Sequence, residues 1–144
     1  ATPLRIRLRH PTRADVQRLA DLMLDAYRGT IDYEGEVIED AVREVEGWMT
    51  SPAALPEHSF IREVDGVFVS AVLVSRGATP LISYLMTAAR WKGQGLAESL
   101  LRAAMRSLAA AGEERVELWV TDGNVPAERV YRNLGFTRVE TREI

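Results

Sequence analysis

The segment Leu85-Met86-Thr87-Ala88-Ala89-Arg90-Trp91-Lys92-Gly93-Gln94-Gly95-Leu96-Ala97 limits the possible folds more than any other stretch of the chain. An apolar run ends in a glycine-x-glycine turn and passes directly into an Ala/Leu-rich run. A strand therefore hands over to a helix through a loop whose backbone glycine leaves free. The helix, Leu96 to Ala111, places Ala97, Leu100, Leu101, Ala104, Met105 and Leu108 on one buried stripe and closes at Gly112.

Other elements follow from local patterning. Leu4 to Arg9 alternates apolar and basic residues and predicts a half-buried strand. Thr12 and Asp15 form a capping box for a helix carrying Val16, Leu19, Met23, Ala26 and Tyr27 on one face, ended by Gly29. A second helix is expected over Glu36 to Met49, stopped by Ser51-Pro52 and Pro56. Phe60 to Val64 and Val67 to Val74 flank Asp65-Gly66, the signature of a two-residue hairpin turn. Strands over Leu81 to Thr87 and Val116 to Thr121, a helix from Asn124 to Asn133, and a last strand over Phe136 to Arg142 complete the order β-α-α-β-β-β-α-β-α-β. Strands divided between hairpins and helix-linked crossovers give an α/β fold of the mixed, α+β kind.

Composition narrows the classes. The 144 residues suit one domain, 1–144, burying roughly 68–70% of the unfolded surface. Hydrophobic residues at 47% and charged residues at 27% exclude a disordered chain. Cysteine is absent, which excludes disulfides, thiolate metal sites and a cysteinyl intermediate. The longest uncharged stretch, Gly77 to Ala89, is too short to span a membrane. With no secretory pattern at its start, the chain is expected in the cytoplasm. A net charge of −3 fits nucleic acid poorly. Residues 1–75 hold 8 Arg against 13 Asp/Glu, and residues 76–144 hold 10 Lys/Arg against 8 Asp/Glu. That asymmetry suits two different partners meeting one domain, and equally suits ordinary surface charge.

Chemistry centres on the glycine loop. Gly93 and Gly95 let main-chain N–H groups approach an anion, and the helix beginning at Leu96 adds its positive end, so the loop reads as a phosphate cradle. Arg90 and Lys92 add cationic side chains. The third glycine of the dinucleotide fingerprint is missing, and no Gly-Lys-Ser/Thr follows. The same residues also suit a glycine turn that binds nothing. Further on, Asn124 is placed as a helix N-cap, and Ala127 and Tyr131, four apart, share one helix face. That face can present a phenol to a cleft, although a core tyrosine fits the pattern as well.

Arg90-x-x-Gly93-x-Gly95 with Ala97, followed by Asn124-x-x-Ala127-x-x-x-Tyr131-x-x-x-Gly135-Phe136, resembles the GNAT superfamily of acyl-CoA-dependent N-acyltransferases. The resemblance spans the chain in element order and is specific over residues 84–136. It implies a central, mostly antiparallel mixed sheet of six to seven strands flanked by about four helices. It implies acetyl-CoA as co-substrate and no metal, with the amides of Lys92, Gly93, Gln94, Gly95, Leu96 and Ala97 on the diphosphate. Leu85, Met86 and Thr87 are expected to pair with the pantetheine arm, and an amide there, that of Met86 or a neighbour, to polarise the thioester carbonyl. Asn124 and Ala127 match positions lining the pantetheine channel, and Tyr131 matches the acid that protonates the departing thiolate.

The implied reaction is acetyl transfer to a primary amine by direct attack in a ternary complex. A sensor that binds acyl-CoA without turnover and a nucleotide-binding domain are the alternatives. A homodimer is expected from the resemblance, and neither nucleic acid nor a membrane is an expected partner. The strand before the loop, Leu81-Ile82-Ser83-Tyr84, carries no acid where such enzymes often hold their general base. Water or a carboxylate from Asp32, Glu34, Glu36, Glu39 or Asp40 remains for that task. Glu34 and Glu36 are the expected attractors of a cationic acceptor, although acids at a helix start also complement its dipole. His10 and His58 are isolated and expected in surface or turn roles.

Overall fold

The computed structural model describes residues 4–30, 32–120 and 124–137. Strands β1 (Ile6–Arg9), β2 (Phe60–Val64), β3 (Val67–Ser75), β4 (Leu81–Thr87) and β5 (Glu117–Leu118) form one sheet in sequence order. Helices α1 (Val16–Tyr27), α2 (Ile38–Thr50), α3 (Leu96–Ala110) and α4 (Val125–Asn133) flank it. Among the described residues the sheet therefore has five strands instead of the expected six to seven. Residues 138–142 of the expected last strand lie outside the described residues, and Phe136 and Thr137 are not in a strand. No helix of the described residues is long and apolar enough to cross a membrane.

The first four strands are antiparallel neighbours, and Asp65-Gly66 turns β2 into β3 with φ values of +50° and +80°. The β4–β5 pair is parallel, so α3 supplies the crossover that such a pair requires. Two cores result. The α1/α2 face buries Leu19, Val45, Trp48, Ile61, Leu73 and Met86. The α3 face buries Val72, Val74, Ile82, Leu100, Leu101 and Ala104.

The β1 alternation is present, but the strand is not half-buried as expected: both sides are exposed apart from the partly covered Arg9. Leu4, Ile6 and Leu8 are 60%, 63% and 48% exposed. They lie on the face where Leu8 pairs with Arg62, beyond the reach of α3, which packs over β2, β3 and β4. The opposite face docks through charge: Arg9 meets Asp15 at 2.7 Å and Glu63 at 2.8 Å. Asp15 is almost wholly buried and also accepts the Thr12 amide at 2.7 Å, completing the capping box of the 3-10 turn Arg13–Asp15 that leads into α1.

Candidate functional site

From β4 the chain passes through a 3-10 turn at Ala89–Trp91, then through Gly93 and Gly95 at φ +79° and +78°, and enters α3. Such left-handed backbone is the region L side chains avoid. A Cβ on either glycine would meet no protein atom within 4 Å, so the turn opens outward. Among the described residues the amides of Gly93, Gln94, Gly95, Leu96, Ala97 and Glu98 donate to no protein acceptor. These are the orphan donors of a helix start, joined to the glycine turn before it.

Lys92 departs from the expectation that it would grip an anion. Its amide donates to the Ala89 carbonyl at 3.4 Å, and its ammonium donates to the Ala26 carbonyl at 2.6 Å, near the end of α1. The Ala89 amide donates to Asp25 at 2.8 Å, so two bonds staple the loop to α1. Arg90 is exposed and remains the loop's outward cation. On the α3 face, Arg62, Ser70 and Thr87 are neighbours across β2, β3 and β4. Arg62 donates through Nη2 to Ser99 at 2.8 Å, in the second turn of α3. Arg62 Nε, Ser70 Oγ and Thr87 Oγ1 are buried without a protein partner. The cradle thus combines free amides, a helix start and polar side chains below it, and a diphosphate fits that donor set.

Among the described residues the β4 edge is open beyond its start. It pairs with β5 only at Leu81 and Ile82, while β4 continues to Thr87. A bulge at Ser83 sits where the strands part, between the Leu73–Tyr84 and Val74–Ile82 pairs. The Ala88 amide donates to the Val69 carbonyl at 2.8 Å. Antiparallel alternation then turns the main-chain groups of Met86 and Tyr84 toward β3, and those of Leu85 and Thr87 toward the open edge. The amide of Met86 or a neighbour was the expected donor. The register directs its amide at Ala71 and buries its side chain in the α1/α2 core, leaving Leu85 and Thr87 as the groups that face the opening.

From α4, Tyr131 comes to the same region. Its half-buried ring packs on the α3-side core and meets Phe136 edge-on at 6.0 Å between centroids. Its hydroxyl donates to no acceptor among the described residues. Burial pushes its pKa up, and Asp32 adds to the shift. Tyr27, at the end of α1, is pushed up to about 12 by burial and by Tyr131, Asp32 and Glu44. Asn124 caps α4, its side chain accepting the Ala127 amide at 3.4 Å.

On the α1/α2 side of the sheet, near Tyr27, is a pair that sequence reasoning missed. The Tyr84 hydroxyl donates to Glu44 Oε2 of α2. Burial and that bond raise the phenol above its ordinary range. A cleft of about 340 Å³ lies beside them, lined by Arg43, Glu44, Gly47, Ser75, Ser83 and Tyr84. A signal for Glu44 was present: it falls three residues after Ala41 and four before Trp48, which puts an exposed carboxylate at the edge of the buried stripe of α2. Glu34 and Glu36 sit in the α1–α2 connection, where the Glu36 carboxylate accepts the Glu34 amide at 2.9 Å. Of the acidic segment, Asp32 is the member felt by Tyr27 and Tyr131. The two histidines are structural, Nδ1 of His10 lying 2.9 Å from the Ser59 carbonyl and that of His58 2.6 Å from Ser107 Oγ.

A family model described as the acetyltransferase (GNAT) family matches residues 17–136. A mycothiol acetyltransferase of Saccharomonospora viridis is 48% identical over 50 residues, covering 35% of this chain and 16% of that protein. This chain thus matches about a sixth of that relative's length. The paia N-acetyltransferase of Thermoplasma acidophilum, solved with coenzyme A, has a TM-score of 0.77 at 17% identity, covering 96% of this chain and 93% of that one. The aminoglycoside N-acetyltransferase AAC(6')-Iy, solved with CoA, has a TM-score of 0.76 at 15% identity, covering 99% and 95%. At such identities the two structures establish a shared fold. The family match, running from α1 to the turn after α4, carries the assignment: the chain belongs to the acetyltransferase (GNAT) family.

Proposed function

We propose that this chain transfers an acetyl group from acetyl-CoA to a primary amine by direct attack within a ternary complex. Acetyl-CoA supplies the activated acyl group. The amine nitrogen forms the C–N bond as the C–S bond breaks, and an ammonium acceptor releases one net proton. The amides of Gly93 to Glu98 and the start of α3 hold the diphosphate. The open edge at Leu85 and Thr87 takes the amide-bearing arm as an added strand would. A main-chain N–H there also faces the oxygen on which charge develops, the kind of donor whose loss costs about 10²–10³-fold in rate. Tyr131 supplies the proton to the departing thiolate. Asn124 fixes the start of its helix, and Ala127, one turn before Tyr131, keeps that face small.

The observation that carries this reading is continuity. A run of amides without protein acceptors leads to a strand edge without a partner strand, and a half-buried phenol stands beside that region. Thiol release from acetyl-CoA against a panel of primary amines tests it, and amine-dependent release is expected. Tyr131→Phe is expected to lower kcat by about 10²-fold while the acetyl-CoA KM changes by less than about threefold. Release indifferent to amine, or none with any amine while coenzyme A binds, contradicts the reading.

A further inference from the structure

We infer that Tyr84 and Glu44 take the proton from the acceptor's ammonium, Tyr84 touching the nitrogen and Glu44 receiving the proton through it. The inference rests on the acetyl-transfer reading above.

Only an uncharged amine attacks a thioester, and β4 carries no acid before the glycine loop. The structure supplies one from elsewhere. Tyr84 stands next to Leu85, whose main-chain groups face the open edge, and its hydroxyl is bonded to Glu44. An ammonium hydrogen passes to Tyr84 Oη as the phenolic hydrogen passes to Glu44 Oε2. The phenol is neutral before and after, the amine is left with its lone pair, and the carboxylate becomes a carboxyl. Burial disfavours a free phenolate at Tyr84, which suits a relay better than a base. Glu44 is solvent-exposed, so its proton leaves to water.

The surroundings leave this carboxylate available. Arg43, its neighbour on α2, is paired with Asp40. Asp40 also accepts the Val37 amide at 2.9 Å, and Glu36 is held by the Glu34 amide. Tyr27 from α1 faces both members of the pair, and neither it nor Tyr84 brings a positive charge at neutral pH. One turn from Glu44, Gly47 has no atom within 4 Å of where a Cβ would stand, so the cleft admits a group beside the carboxylate.

The test follows acetyl-CoA turnover with glucosamine, spermidine and hydroxylamine from mildly acidic to alkaline pH, using the wild type, Glu44→Gln and Tyr84→Phe. Glucosamine and spermidine present ammonium groups at neutral pH, and hydroxylamine is uncharged there. Each substitution is expected to lower kcat/KM for the ammonium probes by about 10²-fold or more at neutral pH. The deficit shrinks as pH approaches the probe's own ionisation. The loss against hydroxylamine is expected to be at least about tenfold smaller, because less proton removal precedes attack. Equal losses at every pH and for every nucleophile, or no loss, overturn the pair while leaving acetyl transfer standing. A wild type that acetylates hydroxylamine but neither ammonium probe also overturns it. A wild type that binds coenzyme A yet acetylates neither these three nor any amine of the panel overturns the acetyl-transfer reading and this inference with it.

Discussion

Gly95 joins two demands at one position: a φ of +78° and open space where a side chain would begin. Alanine there meets only the first, a left-handed strain of about 1–2 kcal/mol. Glutamate adds a carboxylate facing the amides that would hold a diphosphate. Gly95→Ala is therefore expected to retain coenzyme A binding within about tenfold, since its strain is worth about one factor of ten. Gly95→Glu is expected to abolish binding while the chain stays folded, as read by calorimetry and circular dichroism. Equal binding by both variants would remove the cradle. Gly93, Gly95 and the Asp65-Gly66 turn were legible in the sequence because their conformations are set locally. Glu44 was not, because its partner Tyr84 is 40 residues away and meets it only once α2 has packed on the sheet. The Lys92 bond was hidden for a related reason: only tertiary packing brings the Ala26 carbonyl within reach of its ammonium.

Strand β1 and helix α1 are joined by charge. Burial alone would raise the Asp15 pKa, but the bonds from Arg9 and Thr12 outweigh it and hold the carboxyl below its ordinary range. A lowered folded-state value means that this group's stabilisation is present above the ordinary carboxylate range and is lost as pH falls through the folded value. Asp15→Asn is expected to cost about 3 kcal/mol at neutral pH, since it leaves Arg9 half-paired beside a buried site. It should also flatten the fall in stability toward acid, and urea unfolding from neutral to acid pH measures both. An unchanged midpoint at neutral pH would show that the pair only decorates the strand end. The period of β1 was legible, but its exposure was not, because alternation marks two faces and only the position of α3 decides whether the apolar one is covered. The same limit applied to β4. Its existence was clear, whereas the direction of the Met86, Leu85 and Thr87 amides depends on register with β3.

In the proposed reading the whole molecule divides its work between the two faces of the sheet. The cofactor half is nearly contiguous in sequence, from β4 through α3 to α4, and its signature therefore survived as spacing along the chain. The acceptor half proposed above draws on the end of α1, on α2 and on β4, and no single stretch of sequence carries it. The two meet where β4 and β5 part after Ile82, and the parting itself depends on a parallel pair of only two residue partners. What joins the halves in this account is a line of main-chain donors in two free stretches, at the first turn of α3 and at the edge of β4, on either side of the internally bonded turn between them. Amide-resolved NMR of the ¹⁵N-labelled protein titrated with coenzyme A tests that line directly. The signals of Gly93 to Glu98, Leu85 and Thr87 are expected to move together and saturate at one concentration, with Met86 moving less than its neighbours. Saturable binding that leaves the 93–98 signals in place would contradict the account.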